Sequence, residues 1–178
     1  MADRTDACEG AVGVAIVAMR ERHLGGVVDI EAVSNPRPWS HDLFASELKQ
    51  VSSRCFVAVQ PSNEVVGFAC LMSTGFEAHI TNIATLPRLR RSGIATALML
   101  HVFREAIGWG LESITLEVRA SNLAAQRLYE RFGFVADGVR PKYYVESNED
   151  AIIMWAHDIS SAESQERLAG ISAGMTRR

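Results

Sequence analysis

Arg88, Arg90 and Arg91 crowd in front of Ser92 and Gly93, and an apolar stripe at helical spacing starts at Ile94. A helix N-terminus presents unpaired backbone N–H groups and partial positive charge, which together favour a phosphate. Gly93 has no side chain and lets such a group approach the backbone, while Arg90 and Arg91 can add charge-assisted hydrogen bonds. Neither a Gly-Lys-Ser/Thr ending nor a Gly-x-Gly-x-x-Gly pattern is present, so the usual nucleotide loops do not apply. A phosphate-bearing ligand is one reading of the stretch; a solvated basic turn capping a core helix is the other. Metal chemistry has less to build on. Cys8, Cys55 and Cys70 lack ligand spacing, and the five histidines include no His-Glu-x-x-His pair.

The elements around this loop follow from periodicity. "VGVAIVAMR" reads as a first strand, and "ERHLGGVVDIEAVS" and "SHDLFASELKQ" read as helices separated by "NPRPW", where Pro36 and Pro38 forbid continuation. Ser40 is a good N-cap for the second. "RCFVAVQ", "NEVVGFACLMS" and "EAHITNIAT" read as three strands joined by short turns, an antiparallel meander. The helix from Ile94 repeats apolar residues at 94/95, 98/99, 102/103 and 106/107, and Gly108 and Gly110 close it. In the strand "SITLEVR", Ile114, Leu116 and Val118 share one face and Thr115, Glu117 and Arg119 the other. "SNLAAQRLYERFG" is a further helix, capped near Ser121 or Asn122, and "GVRPKYYV" and "DAIIMWAHD" are two more strands. The order predicts an α/β (α+β) sandwich, a mixed sheet with helices between its later strands.

With 178 residues, the chain has material for one domain. Residues 1–10 are expected to fray, residues 11–159 to form the domain, and residues 160–178, poor in large apolar side chains, to form a loose polar tail. A net charge of −3 argues against general nucleic-acid binding and leaves room for a basic substrate. No apolar run is long enough to span a bilayer. The three cysteines, odd in number, fit a reducing cytoplasm.

The Arg-x-x-Gly-x-Ala run from Arg90 to Ala95 resembles the acyl-CoA pyrophosphate loop of the GNAT N-acetyltransferases. "LEVRASNLAAQRLYERFGF", "RPWSHDLFASEL" and "YYVESNEDAIIMW" resemble one bacterial branch, RimI, which acetylates the N-terminal alanine of ribosomal protein S18. The likeness covers about Val14 to Asp158. It implies the GNAT fold, a mostly antiparallel mixed sheet flanked by helices, with acetyl-CoA as cosubstrate and no metal. It also implies roles for particular residues. Ile83, Ala84 and Thr85 lie on a splayed strand that offers backbone groups to the pantetheine and thioester. Arg90, Arg91, Ser92, Gly93, Ile94 and Ala95 hold the pyrophosphate, and Asn122 contacts CoA. Glu117 is the general base and Tyr129 protonates the departing thiolate. Two positions depart from the family pattern: Ala95 stands for the commoner final glycine, and Thr85–Leu86 for Val and a polar residue.

These residue types suit the reaction. An α-amine, with a pKa of roughly 7.7–8.0, is mostly protonated at neutral pH and needs a carboxylate, direct or through water, to release its nucleophile. Backbone N–H groups can stabilise the oxyanion. Unaided by the resemblance, each residue has a plainer reading: Glu117 as a solvated face, Tyr129 as edge packing, Asn122 as a cap only. His79 and His101 read as core or surface histidines, Glu77 as strand-edge or groove, and Cys55 and Cys70 as small hydrophobes. The expected partner is the N-terminus of a basic protein such as ribosomal protein S18, not nucleic acid and not a membrane. The rivals are a broader protein N-terminal acetyltransferase, a small-molecule amine acetyltransferase, and a non-catalytic acyl-CoA sensor.

Overall fold

The computed structural model describes residues 13–176, so the expected fraying of residues 1–10 lies outside the described residues. Seven strands form one sheet: β1 (Ala15–Ala18), β2 (Ser53–Val59), β3 (Val65–Ser73), β4 (Glu77–Thr85), β5 (Ser113–Arg119), β6 (Val135–Tyr144) and β7 (Glu149–Ala156). Their spatial order is β1-β2-β3-β4-β5-β7-β6, and the sheet is mixed, as expected. Every neighbouring pair is antiparallel except β4 and β5. That parallel pair needs a crossover, which α3 (Ile94–Gly108) supplies.

Side-chain alternation sorts the strands into two faces. On one, Phe56 and Ala58 of β2 and Ala69 and Leu71 of β3 pack with Leu98, Val102 and Phe103 of α3. On the other, Cys55, Val57, Phe68 and Cys70 pack beneath α1 (Leu24–Ser34) and α2 (His41–Glu47). Ser40 caps α2 as expected, its Oγ accepting the Leu43 N–H at 3.2 Å. The "NPRPW" segment is anchored from below. Glu31 is fully buried, and its Oε1 accepts the Trp39 N–H at 3.1 Å and the Asn35 side-chain N–H at 3.0 Å. α4 (Leu123–Arg131) follows β5 and brings Tyr129 into the core with Phe132 and Phe134.

The loose tail expected from Ser160 is corrected by the structure: Ala162–Thr176 form α5. Ser161 Oγ accepts the Ser164 N–H at 3.2 Å, capping the helix. Leu168, Ile171 and Met175 share a helical face and join the α3 side of the core, with Leu168 only 8% exposed. The small residues Ala169, Gly170, Ala173 and Gly174 stay exposed, so the helix docks through these three apolar side chains. β6 also starts earlier than expected, at Val135. It is an edge strand, where Pro141 costs no ladder bond, and its register slips between Arg140 and Tyr144.

Candidate active site

β4 and β5 pair only over Glu77–Ile80 and Ser113–Leu116. Beyond that point β4 stays with β3, where Ala84 faces Phe68 and Thr85 faces Gly67, while β5 stays with β7, where Glu117 faces Ile153. A wedge therefore opens between the two strands. Ile83, Ala84 and Thr85 line one wall with backbone that β5 does not engage, and Glu117 is the first β5 residue past the fork. An irregularity between Cys70 and Leu71 in the β3–β4 pairing leaves Thr81 without a cross-strand partner at the same level.

At the end of β4, a short helical turn (Pro87–Leu89) leads to the arginine-rich loop. Gly93 is the N-cap of α3 at φ 94°, a left-handed conformation that a side chain disfavours, and Arg91 sits at φ 65°. Ser92 Oγ donates to the Leu89 carbonyl at 2.6 Å, holding the turn. Arg88 pairs with Glu64, whereas Arg90 and Arg91 are exposed beside the helix start. Gly67 seats this helix against the sheet: a Cβ there would stand 2.9 Å from Ile94 and 3.2 Å from the Ala84 carbonyl. The helix N-terminus and the wedge thus adjoin. A long ligand carrying phosphates at one end and an extended amide arm at the other fits that sequence of donors, as CoA would.

Glu117 is held from two sides. His79 Nε2 lies 2.9 Å from its Oε2, and Arg140 Nη2 lies 3.1 Å from its Oε1. Its side chain is 10% exposed, while His79 retains 25% and Arg140 54%. The register sets His79 beside Thr115, so the imidazole reaches diagonally to Glu117 on the same face. Sequence reading set His79 aside and did not consider Arg140. Both become legible only when β4, β5 and β6 are arranged in space. Glu77, at the far end of β4 opposite Ser113, stands away from the fork.

Tyr129 is 6% exposed and packs against Phe134 with ring centroids 5.8 Å apart. Burial first, and the neighbouring Tyr144 second, push its phenol well above the ordinary value. Burial also raises Tyr144, opposed by Arg119, and Tyr144 feels the charge of Glu117 as well. Tyr144 is thus close enough to act electrostatically on Tyr129 and to feel Glu117. Asn122 caps α4, its Oδ1 accepting the Ala125 N–H at 3.1 Å, and remains exposed. The structure gathers Glu117, the Ile83–Thr85 wall, the Arg90–Ala95 loop and Asn122 around the end of the sheet where the wedge opens. Among the described residues no cluster of three His, Cys, Asp or Glu side chains could hold a metal. No helix among them is long and apolar enough to cross a membrane.

The wedge between parallel neighbours and the glycine-capped basic loop at its end sit within a fold that comparison with known proteins identifies. Residues 24–134 match the model of the acetyltransferase (GNAT) family, and the chain belongs to that family. Several of its relatives are of the RimI kind: the ribosomal protein bS18-alanine N-acetyltransferase of Escherichia coli K12 is 35% identical over 141 residues, 78% of this chain and 94% of the relative. The crystal structure of the Escherichia coli ribosomal-protein-S18-alanine N-acetyltransferase superposes with a TM-score of 0.75, covering 82% of this chain and 94% of that one at 34% identity. An N-alpha-acetyltransferase of Sulfurisphaera tokodaii is 32% identical over 145 residues, 73% of this chain and 84% of the relative. The family uses acetyl-CoA as acyl donor.

Proposed function

We propose that this protein transfers the acetyl group of acetyl-CoA to the α-amine that begins a protein, and that its substrate is the N-terminal alanine of ribosomal protein S18. The observation that carries the reading is Glu117, a mostly buried carboxylate at the fork between β4 and β5. Support for the particular substrate comes from the likeness to the bS18-alanine enzyme along nearly the whole of that relative. The pyrophosphate takes the Arg90–Ala95 loop, the pantetheine runs along Ile83–Thr85 and past Asn122, and the thioester sits in the wedge. Glu117, directly or through a water, removes the ammonium proton. The freed amine attacks the thioester carbonyl, and N–H groups of the splayed strand stabilise the oxyanion. Collapse expels the CoA thiolate, toward which Tyr129 is the proton donor. Its raised pKa keeps the phenol neutral throughout the working range, so it can donate. Burial disfavours a lasting phenolate, so Tyr129 must recover a proton as it gives one up, and the second proton that the attacking nitrogen loses on becoming an amide balances it.

A broader N-terminal acetyltransferase is the second reading, favoured by the 32% identity to the Sulfurisphaera N-alpha-acetyltransferase. Thiol release measured over peptides that differ only in their first residues tests both. A preference for the S18 terminus supports the narrow reading, and equal rates across termini support the broad one. Faster turnover of a small amine than of any peptide would remove both.

A further inference from the structure

Arg119 ends β5 two residues beyond Glu117 and on the same face. Its guanidinium carbon lies 3.7 Å from the centre of the Tyr144 ring. Nη2 donates to Glu146 at 2.5 Å, and Nη1 donates to Ser147 Oγ at 2.9 Å and to Glu149 at 3.3 Å. All four partners belong to the turn joining β6 to β7 or to the strand ends that flank it. The contacts continue outward on both sides. Glu149 also accepts the Ser121 N–H at 2.8 Å, one residue before Asn122. Glu146 lies 3.9 Å from Arg37, in the segment between α1 and α2.

An isolated surface ion pair is worth little. This one differs: the arginine side chain is only 18% exposed, its planar fork is divided among three acceptors, and an aromatic ring covers its face. Both acids are held charged, Glu146 by Arg119 foremost and Glu149 by Ser121 foremost. Arginine cannot serve as a base, and its N–H groups point at the turn, so its contribution lies in placement. This end of the hairpin is strained: Lys142 within β6 and Asn148 in the turn have φ values of 53° and 50°, conformations that cost a side-chain-bearing residue.

We propose that Arg119 is a positioning residue for the acceptor: by locking the β6–β7 turn and the Tyr144 ring beside Glu117, and by reaching Arg37 through Glu146, it fixes the groove that receives the first residues of the substrate. The proposal rests on the reading that Glu117 faces the acceptor amine. The acetyl-CoA side is built by the α3 N-terminus and β4, which the Arg119 side chain does not touch, and by Asn122, whose N–H donates to the Arg119 backbone carbonyl that side-chain variants keep, so the two substrates should respond differently to its loss.

The test uses the full chain, with Arg119→Ala, Arg119→Lys and Glu146→Gln compared for steady-state turnover of an alanine-initiated peptide, for calorimetric acetyl-CoA binding, and for amide hydrogen exchange at residues 144–149. Arg119→Ala should raise the acceptor KM about tenfold, the scale of a lost charge-assisted network. Its acetyl-CoA Kd should stay within about twofold of wild type, and exchange at 144–149 should accelerate. Arg119→Lys keeps the charge but not the fork or the stacking, and should fall in between. Glu146→Gln combined with Arg119→Lys should raise KM by less than the product of the single effects. An unchanged acceptor KM in both arginine variants overturns the proposal. Equal losses of acetyl-CoA and acceptor affinity also overturn it, because Arg119 would then merely brace the fold. If the wild-type protein acetylates no peptide, the acceptor reading itself fails; the exchange measurement still decides the clamp, and wild-type protection in Arg119→Ala sinks it.

Discussion

Glu117→Gln separates chemistry from structure at the fork. The amide is the same size as the carboxylate, and its oxygen can still accept from Arg140 or His79. What disappears is the negative charge and with it the ability to take a proton. The stability cost should be small: Arg140 is 54% exposed, and pairs of that exposure contribute about 0–1 kcal/mol. At this chain length that is a melting shift of roughly 4 °C or less. Acetyl-CoA affinity should not change, because the loop and the Ile83–Thr85 wall are intact. Turnover at saturating peptide should fall about 10²–10⁴-fold, the range for removing a general base. Thiol release gives the rate, calorimetry the acetyl-CoA affinity and circular dichroism the fold. A Gln variant with wild-type kcat would refute the assignment and pass the proton to another group. A variant that melts far below wild type would show that Glu117 is first a structural ion.

His79→Phe removes the group 2.9 Å from Glu117 Oε2 and should lower kcat by about tenfold, less than Glu117→Gln, with the acetyl-CoA Kd unchanged; unaltered kcat would make that contact incidental. Gly93→Val should weaken acetyl-CoA binding by about tenfold or more in calorimetry, since it puts a branched side chain at φ 94° and at the pyrophosphate's approach; unchanged affinity would remove the phosphate reading of the loop. Leu168→Ala on α5 should cost about 2–4 kcal/mol, a melting shift on the order of 5–15 °C, with kcat retained; wild-type melting would mean that the helix does not dock. Because the folded-state pKa of Tyr129 is raised, the fold favours the neutral phenol: its stabilisation is complete below about pH 10 and is lost as pH rises toward the folded value. Melting temperatures should therefore decline above about pH 10 in wild type and less steeply in Tyr129→Phe, and identical slopes would contradict the burial argument.

Local patterns made some of this molecule legible in its sequence. Gly93 and its arginines announce a helix start by residue chemistry alone, and strict alternation in "SITLEVR" puts Glu117 and Arg119 on one face. The surroundings of Glu117 are a different matter. His79 reaches it because β4 and β5 run parallel and then part, and Arg140 because β6 and β7 return alongside β5. Nothing local in the chain encodes those meetings. Arg119 carried a signal, an arginine alternating in register with the proposed base, but its partners Glu146 and Glu149 lie across a turn. α5 escaped because its apolar side chains are few. The spacing of Leu168, Ile171 and Met175, with Ser161 as cap, was nevertheless a helical signature, and counting periodicity instead of hydrophobic density would have found it.

The central claim is that the acceptor is an α-amine. It is tested most directly by offering one peptide that begins with alanine, continues with the S18 sequence and contains an internal lysine, and locating the acetyl group by mass spectrometry. A lysine ε-amine, at a pKa of roughly 10.4, costs about 3 kcal/mol more to deprotonate near pH 7 than an α-amine does. The expected product carries a single acetyl group on the N-terminal nitrogen and none on the lysine. Acetylation at lysine with the terminus left free would contradict it.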